Sequence, residues 1–369
     1  MMKVEMAREA RVLICPLNWG LGHASRLIPV IRALDAQGFK VMIAAEGVAL
    51  ALLQKEFPAF YFFEFKGYKV KYSRFLPLTL KMLWLAPRIV AGIIREHYMI
   101  KKMTDDYLVD VVISDNRFGL WDKTVYSVYI THQVMIKMPA VFSWMQYPVH
   151  FVHKWFMKRY NEVWVPDFSD PPGLSGDLSH RFRLPGNAKY IGLLSRFSGN
   201  HIQDVDIERY DILVILSGPE PQRSILEKKL IRQIGETSYK TLLVRGLPKN
   251  GNLQLPPNIR AELHLSADKM KAAILSAGAI ICRSGYSGIM DLLSLKRNAI
   301  LIPTPGQTEQ LYLARYYHEK NIFFSVSQRQ FKLEEALEKV KACTPVLNYP
   351  TQNFEFLDFE NHLQNEEKN

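Results

Sequence analysis

Short apolar runs alternate with amphipathic stretches along most of the chain, and each run has the length of a buried strand. The first half contains six such runs, at residues 11–15, 41–45, 60–65, 110–114, 126–130 and 162–165. The second half contains five, at residues 212–216, 241–244, 262–265, 280–282 and 299–302. Since strands that alternate with helices form parallel sheets, the pattern predicts an α/β fold with two doubly wound, Rossmann-like halves.

Proline and glycine are concentrated between residues 166 and 210, after the last strand of the first half. We therefore predict a first domain at residues 1–195 and a second domain at residues 196–345. Residues 346–369 form an acidic tail that either packs back on the first domain or is disordered. The hydrophobic content of 48% is ample for two cores of this size.

A polar interruption follows the apolar run at 280–282. Arg283, Ser284 and Gly285 end the run, and a helix is predicted to begin near Ser287. Asp291 lies one turn inside this helix, among apolar positions where a carboxylate is poorly suited to packing. In such an arrangement Arg283 can pair with a diphosphate and the helix N-terminus can bind phosphate oxygens, while Asp291 can accept two ribose hydroxyls.

The next apolar run, at 299–302, ends in a rigid loop of Pro303, Thr304, Pro305 and Gly306. The residues that this loop presents are Gln307, Glu309 and Gln310. Because neighbouring parallel strands end at the same crevice, both loops are expected to form one nucleotide-sugar site. An ordinary strand, glycine turn and helix with a surface arginine is the alternative, and the spacing alone does not separate the two.

These two loops resemble the C-terminal donor signature of GT-B glycosyltransferases. They are most similar to the family of the N-acetylglucosaminyltransferase that completes the lipid intermediate of peptidoglycan, glycosyltransferase family 28. The positions that match the signature are Arg283, Ser284, Gly285, Asp291, Pro303, Pro305 and Gln310. Asp291 stands where the family has glutamate, Glu309 replaces the first of two glutamines, and Leu313 stands where asparagine is common. These departures leave the identity of the sugar open.

The first apolar run leads into a loop at residues 16–23, PLNWGLGH, ahead of a helix predicted over 24–37. The loop has only two glycines, and their spacing is not that of a dinucleotide fingerprint. His23 lies where the helix begins, and the positive end of the helix dipole disfavours an imidazolium there, so a neutral ring is able to accept a proton. A solvated loop histidine is the alternative.

Gly20, Gly22 and His23 also resemble the glycine-histidine loop of the same family, although Asn18 and Trp19 stand where that loop has glycine. Together with Arg26, the loop is similar to that of the UDP-sugar hydrolases of pseudaminic acid synthesis as well. The positions expected to contact the donor are Gly20, Gly22, Ser217, Gly218, Arg283, Ser284, Gly285, Ser287, Asp291, Thr304, Gln307, Glu309 and Gln310.

Two further strand ends in the first half carry polar residues. The run at 110–114 is followed by Asp115, and the run at 126–130 is followed after one residue by His132. We take His23 as the first candidate for the catalytic base and Asp115 as the second. The expected acceptor contacts are Asn18, Asn116, Arg117 and His132. A structural role is the alternative for each of these residues.

The formal charge of +11 is concentrated in the first half, with +9 over residues 1–195 and +2 over residues 196–369. Basic residues recur every seventh position from 74 to 102, among aromatic and aliphatic ones, and Pro77 and Pro87 predict two helices there. Such a surface is typical of a helix in the headgroup region of an anionic membrane, and a buried helix pair with a solvated basic edge is the alternative. The expected membrane-facing residues are Lys81, Trp84, Arg88, Arg95, Trp144, Trp155 and Lys158.

Interleaved aromatic and basic residues at 142–160 are also compatible with single-stranded nucleic acid, but no nucleic-acid motif accompanies them, so we expect no such partner. The three cysteines are far apart, which predicts a reducing compartment and no disulfide or metal site. The N-terminus lacks a signal-peptide core, and charges interrupt the most apolar region. A cytoplasmic protein, peripherally bound to the inner face of the plasma membrane, is therefore expected.

The resemblance implies a GT-B enzyme that binds a UDP-sugar in the second domain and an acceptor in the first. We expect inverting, metal-independent transfer of a sugar, an N-acetylhexosamine, to a lipid-linked or glycan acceptor, with no cofactor beyond the UDP-sugar substrate. Two alternatives are open: a UDP-sugar hydrolase or epimerase of the same fold, and a non-catalytic nucleotide-sugar sensor.

Overall fold

The computed structural model describes residues 10–18, 20–67, 78–198, 205, 208–247, 254–347 and 349, without the side chains of residues 78–86. The predicted membrane-facing side chains of Lys81 and Trp84 therefore lie outside the described part. Of the predicted acidic tail, only residues 346, 347 and 349 are described.

The first domain is built on a parallel sheet of seven strands in the order β3-β2-β1-β4-β5-β6-β7. Its strands are β1 (Arg11–Pro16), β2 (Lys40–Ala45), β3 (Tyr61–Glu64), β4 (Val111–Asp115), β5 (Tyr126–Ile130), β6 (Glu162–Val165) and β7 (Ala188–Tyr190). The central strands are apolar on both faces because helices cover both sides of the sheet. Its helices are α1 (Leu21–Ala36), α2 (Gly47–Glu56), α3 (Leu78–Tyr107), α4 (Gln146–Met157) and α5 (Asp177–His180).

The second domain has a parallel sheet of six strands in the order β10-β9-β8-β11-β12-β13. Its strands are β8 (Ile212–Ile215), β9 (Thr241–Val244), β10 (Ile259–Glu262), β11 (Ala279–Cys282), β12 (Ile300–Leu301) and β13 (Phe324–Ser325). Its helices are α6 (Gln222–Gly235), α7 (Ala267–Ser276), α8 (Tyr286–Ser294), α9 (Thr308–Glu319) and α10 (Leu333–Lys341). These two sheets confirm the predicted fold class of two doubly wound domains.

The differences from the predicted elements lie mostly at sheet edges. β10 is the first strand of its sheet and begins three residues before the predicted run, because only alternate residues such as Ile259 and Ala261 pack on the core. β7 is an edge strand of three half-buried residues and has no apolar run to predict it. α3 continues as one helix through Pro87, where two helices were predicted.

The two domains share a hydrophobic cluster in which α1 packs against α8. Leu27 and Ile31 of α1 belong to the same buried cluster as Ile289 and Leu293 of α8. The last strand of the first sheet ends at Tyr190 and the second sheet begins at Ile212, so the predicted boundary near residue 195 lies between them. This packing brings the N-termini of α1 and α8 together.

Candidate active site

His23 and Asp115 meet where two neighbouring strands end. β1 and β4 pair in parallel with Pro16 opposite Asp115, and Gly20, with φ of 119°, turns the chain from β1 into α1. His23 is therefore in the first turn of α1, and its Nδ1 lies 3.1 Å from Asp115 Oδ1. The same Nδ1 also lies 3.1 Å from Arg26 Nη2, so the carboxylate favours a proton on Nδ1 whereas the guanidinium favours a lone pair there.

Arg26 also bonds to the Asp115 carboxylate. Its Nε donates to Asp115 Oδ2 at 2.7 Å and its Nη2 donates to Oδ1, while both side chains are buried. Burial alone raises the pKa of Asp115, but the charges of Arg26 and His23 lower it to about 2. The carboxylate is thus ionised at neutral pH. Arg26 was assigned no role in transfer by the sequence, although it lies one turn from His23 on the same helix face.

The same arginine extends the network to His132, after β5. Arg26 Nη1 donates to His132 Nδ1 at 2.8 Å, so the proton of this ring is on Nε2, which donates to Glu309 Oε1 at 2.9 Å. Burial lowers the pKa of His132, consistent with a neutral ring. The Tyr286 ring stacks on His132 with centroids 4.2 Å apart. Gln133, which was not predicted, donates its side-chain amide to Glu309 Oε2.

This network crosses from the first domain to the second, and other contacts accompany it. Ser287 Oγ, at the start of α8, donates to the Gly22 carbonyl at 2.9 Å. A methyl group at Gly22 would lie 3.2 Å from the same Ser287 Oγ. Ser287 and Glu309 were predicted to contact the donor, and here they join the domains. Thr308 Oγ1 likewise donates to the Lys137 carbonyl at 2.6 Å. The start of α8 is thereby held beside His23.

The loops of the donor signature are tied together by their own side chains. Ser284 Oγ donates to the Gln310 carbonyl at 2.8 Å, and Gln310 Oε1 accepts from the Thr304 N–H at 2.9 Å. These bonds fix the proline loop against the end of β11. The predicted pairing of the two loops in one site agrees with this geometry.

Arg283 follows β11 and is 2% exposed, and its guanidinium donates to the carbonyls of Ile302 at 3.1 Å and Gln222 at 2.8 Å. Its Nε is buried without a partner in the described part of the chain. Burial lowers its pKa to about 10. These bonds connect the ends of β11 and β12 with the start of α6, and the contact of Arg283 with a diphosphate stays a prediction.

Backbone groups and glycines, by contrast, are presented at the edge of the second sheet. Methyl groups at Gly285 and Gly288 would meet nothing within 4 Å, so the first turn of α8 borders open space. A methyl group at Gly218, with φ of 98°, would lie 3.2 Å from the buried Thr304 Oγ1. Ser217 is half-buried beside it, and Gln307 is the N-cap residue of α9. A helix N-terminus with unhindered N–H groups is suited to binding phosphate.

Asp291 is 5% exposed, and its carboxylate accepts from Ser195 Oγ at 2.7 Å and from Arg196 Nε at 2.9 Å. Burial raises its pKa, partly offset by Arg196. These bonds join α8 to the segment that connects the domains, and the contact of Asp291 with ribose hydroxyls stays a prediction.

The four predicted acceptor contacts are not brought together. Arg117 is 1% exposed and donates to Glu96 Oε1 at 2.9 Å, inside the first domain, and its contact with an acceptor stays a prediction. Asn116 accepts from the Tyr129 hydroxyl at 3.2 Å. Asn18 Oδ1 is buried without a partner in the described part of the chain. Only His132 belongs to the network around Asp115.

Among the described residues, no group of three or more His, Cys, Asp or Glu side chains is arranged to hold a metal ion. None of the described helices is both long enough and apolar enough to cross a membrane.

Comparison with known proteins agrees with this geometry. Residues 214–363 match the Glycosyltransferase family 28 C-terminal domain. Uncharacterized glycosyltransferases of Methanosarcina acetivorans and Methanosarcina mazei are 24% and 23% identical to this chain, with 81% of each chain covered. The solved glycotransferase of kitacinnamycin has a TM-score of 0.60 at 13% identity, covering 90% of this chain and 91% of its own. CalG4, the calicheamicin glycosyltransferase, has a TM-score of 0.58 at 14% identity, covering 91% of both.

The fold is that of GT-B glycosyltransferases, with two Rossmann-like domains. The chain is a glycosyltransferase, and its residues 214–363 are similar to the family 28 C-terminal domain, as the donor signature implied. A nucleotide-sugar donor and a glycosyl acceptor follow from this class.

Proposed function

We propose that the protein catalyses inverting transfer of a sugar from a UDP-sugar to an acceptor hydroxyl, with His23 as the general base. The observation that carries this proposal is the His23–Asp115 pair, held beside the N-terminus of α8 by the Ser287–Gly22 bond. The base and the anion-binding helix end thus lie on opposite domains of one site.

In the proposed reaction, His23 Nε2 takes the proton of the acceptor hydroxyl while that oxygen bonds to the anomeric carbon of the donor. The bond from this carbon to the diphosphate breaks on the opposite face, which inverts the configuration. Asp115 stabilises the imidazolium that forms, as a carboxylate bonded to Nδ1 does. The N–H groups of the first turn of α8 stabilise the charge that develops on the departing UDP, and metal independence is part of the proposal.

The acceptor, we propose, is lipid-linked, and the transferred sugar is an N-acetylhexosamine. Support comes from an exposed aromatic and basic face on the first domain. Trp144 is 65% exposed and Trp155 is 52% exposed, and the described basic residues predicted there, Arg88, Arg95 and Lys158, are exposed as well.

Trp121 connects α3 with the segment that follows α4. The His97 ring of α3 contacts Trp121 with centroids 4.2 Å apart, and the Arg159 guanidinium lies over both Trp121 and Trp155, at 5.2 and 4.1 Å. Exposed apolar side chains lie on α3 (Val90, Ile94 and Tyr98), on the short 3₁₀ helix Ala140–Met145 before α4 (Val141 and Trp144) and on α4 (Tyr147, Phe151, Val152 and Trp155). Such a surface suits the headgroup region of an anionic membrane.

Release of UDP from a panel of UDP-sugars, with and without a bacterial lipid extract, tests the proposed reaction. We expect release that depends on the extract and persists in the presence of EDTA. Equal release without extract would favour hydrolysis over transfer, and no release from any UDP-sugar would contradict the proposed donor.

Co-sedimentation with vesicles tests the membrane surface separately. Binding to phosphatidylglycerol vesicles at low salt, and none to phosphatidylcholine vesicles, is expected. The double variant Trp144→Ala, Trp155→Ala should lose binding, whereas the control Ile225→Ala, Leu275→Ala, which removes exposed apolar side chains of the second domain, should retain it. Failure of the wild type to bind phosphatidylglycerol vesicles would contradict the proposal that this surface binds a membrane.

A further inference from the structure

The Arg26 guanidinium contacts three side chains of the first domain. Its Nε and Nη2 donate to the Asp115 carboxylate, its Nη2 also lies 3.1 Å from His23 Nδ1, and its Nη1 donates to His132 Nδ1 at 2.8 Å. A guanidinium has five N–H donors in one plane and no acceptor. The bond to His132 therefore limits how far the group can pivot about the Asp115 carboxylate.

The His132 ring is itself held in one tautomer and one orientation. Because Arg26 only donates, Nδ1 of this ring carries the lone pair and Nε2 carries the proton, which is donated to Glu309 Oε1 at 2.9 Å. Turning the ring over would lose both bonds. The ring is 3% exposed, and Tyr286 stacks on it with the two ring planes 11° apart. His132 thus connects the position of Arg26 to that of Glu309.

Glu309 belongs to the second domain. It lies in the first turn of α9, where the positive end of the helix dipole stabilises a carboxylate. Its Oε1 accepts from His132 and its Oε2 accepts from the side-chain amide of Gln133. Thr308 beside it donates to the Lys137 carbonyl at 2.6 Å. The start of α9 is therefore bonded to the loop after β5, the loop that carries His132.

His23 Nδ1 has two competing neighbours, since Asp115 Oδ1 and Arg26 Nη2 each lie 3.1 Å from it. In the proposed reaction the proton of the neutral ring has to be on Nδ1, because only then is Nε2 free to accept the proton of the acceptor hydroxyl. A guanidinium released from His132 could turn toward Nδ1 and take its lone pair, which would move the ring proton to Nε2. The bond from Arg26 to His132 therefore favours the reactive tautomer.

We propose that His132 and Glu309 are positioning residues: they hold Arg26, and through it the pair of Asp115 and His23, so that the second domain orients the base carried by the first. This inference rests on the proposed function in one respect, the role of His23 as the base.

Kinetics of UDP release from a UDP-sugar, in the presence of the lipid extract, test the positioning role. Glu309→Ala and His132→Ala should each lower kcat by about tenfold or more, with KM for the UDP-sugar within about threefold, because a displaced base lowers the rate of the chemical step. Glu309→Gln keeps an oxygen that accepts from His132 Nε2 and should retain kcat within about threefold. A raised KM with unchanged kcat in Glu309→Ala would show that Glu309 only binds the donor, and would overturn the proposal.

The double variant distinguishes one connected network from two separate losses. His132→Ala combined with Glu309→Ala should have a kcat within about twofold of the lower single variant, because both changes break the same connection. Losses that multiply would overturn that connection. Glu319→Ala removes an exposed carboxylate from the end of the same helix and, as the control, should leave kcat unchanged. The Glu309 side chain is 28% exposed, so Glu309→Ala keeps the test available if His132→Ala fails to fold.

NMR of the imidazole nitrogens, on the full-length protein with isotope-labelled histidine, tests the arrangement without turnover. Spectra of His23→Ala and His132→Ala assign the two rings. His132 should carry its proton on Nε2. The neutral His23 ring should carry its proton on Nδ1 in the wild type and in Glu309→Gln, and should lose this preference in Glu309→Ala. An unchanged His23 tautomer in Glu309→Ala would overturn the proposal whatever the kinetics show.

The two measurements separate failure of this inference from failure of the proposed function. If His23→Ala retains full turnover, or the wild type has none, the proposed function fails. The NMR spectra still decide in that case whether Glu309 and His132 orient the His23 ring, because they require no substrate.

Discussion

In each sheet the carboxyl ends of the strands form one edge, and these two edges face each other. They use their polar residues in opposite ways. At the first edge, His23, Asp115 and Arg26 bond to one another and hold the His23 imidazole at the site. At the second edge, Arg283 and Asp291 turn inward to brace loops and linker, and glycines and backbone N–H groups border the open space. Proton transfer needs a side chain of suitable pKa, whereas a diphosphate can be held by helix N-termini alone. In the proposed reaction, the first domain therefore supplies the reacting side chains and the second domain supplies a shaped backbone.

The largest effect is expected from removing the base at the first edge. His23→Ala should lower the turnover of UDP-sugar by about 10²–10⁴-fold, the usual contribution of a general base, with UDP affinity retained. The control is His318→Ala, which removes an exposed histidine of α9 and should leave turnover unchanged. Steady-state kinetics of UDP release measures the turnover, and titration with UDP measures the affinity. Unchanged turnover in His23→Ala would contradict the role of His23 as the base and with it the contrast between the two edges.

The second effect concerns the stability of the first edge. Arg26→Met leaves the Asp115 carboxylate buried and uncompensated, which should lower the free energy of unfolding by about 3–5 kcal/mol. Chemical denaturation measures this loss, and Asp115→Asn combined with Arg26→Met should recover part of it because the lone charge is gone. A loss below about 1 kcal/mol would mean that the pair is solvated like a surface ion pair.

The pH dependence should distinguish the carboxylates of the two edges. The pKa of Asp115 is lowered to about 2, so its ion pair contributes stability above the unfolded pKa of about 4 and loses it as pH falls from about 4 to 2. Burial raises the pKa of Asp291, so its titration acts with the opposite sign. The Tm of the wild type minus the Tm of Asp115→Asn should be plotted against pH, and likewise for Asp291→Asn. The two plots should have slopes of opposite sign. Slopes of the same sign would contradict the assignment.

The smallest effect is expected at the contact between the edges. Ser287→Ala removes the bond to the Gly22 carbonyl and should cost about 0.5–1.5 kcal/mol of stability. Ser276→Ala, which removes only a local bond within α7, is the matched control. Equal losses in both variants, measured by chemical denaturation, would show that the interdomain bond contributes nothing of its own.

Much of the fold was predictable because it depends on local pattern. The central strands β1, β4, β5, β8 and β11 are continuous apolar runs, and such runs are recognisable without knowledge of their neighbours. The edge strands β7 and β10 were missed or shifted because a half-buried edge carries no continuous run. His23 was singled out because it lies where a helix begins, in a loop that resembles the family's glycine-histidine loop, and Asp115 because it follows a strand that ends at the predicted crevice.

By itself, then, the sequence determined the two doubly wound domains, the placement of the glycine loops at their strand ends and the two candidate bases. Only the tertiary structure decided what the charged side chains do. Arg26 meets Asp115 across 89 positions of the chain, and Ser195 meets Asp291 across 96. No local pattern encodes such partners, because whether an arginine or an aspartate faces a ligand or a neighbour depends on which groups folding buries beside it. That is why the partners of Arg283 and Asp291 within the protein could be read only from the folded structure.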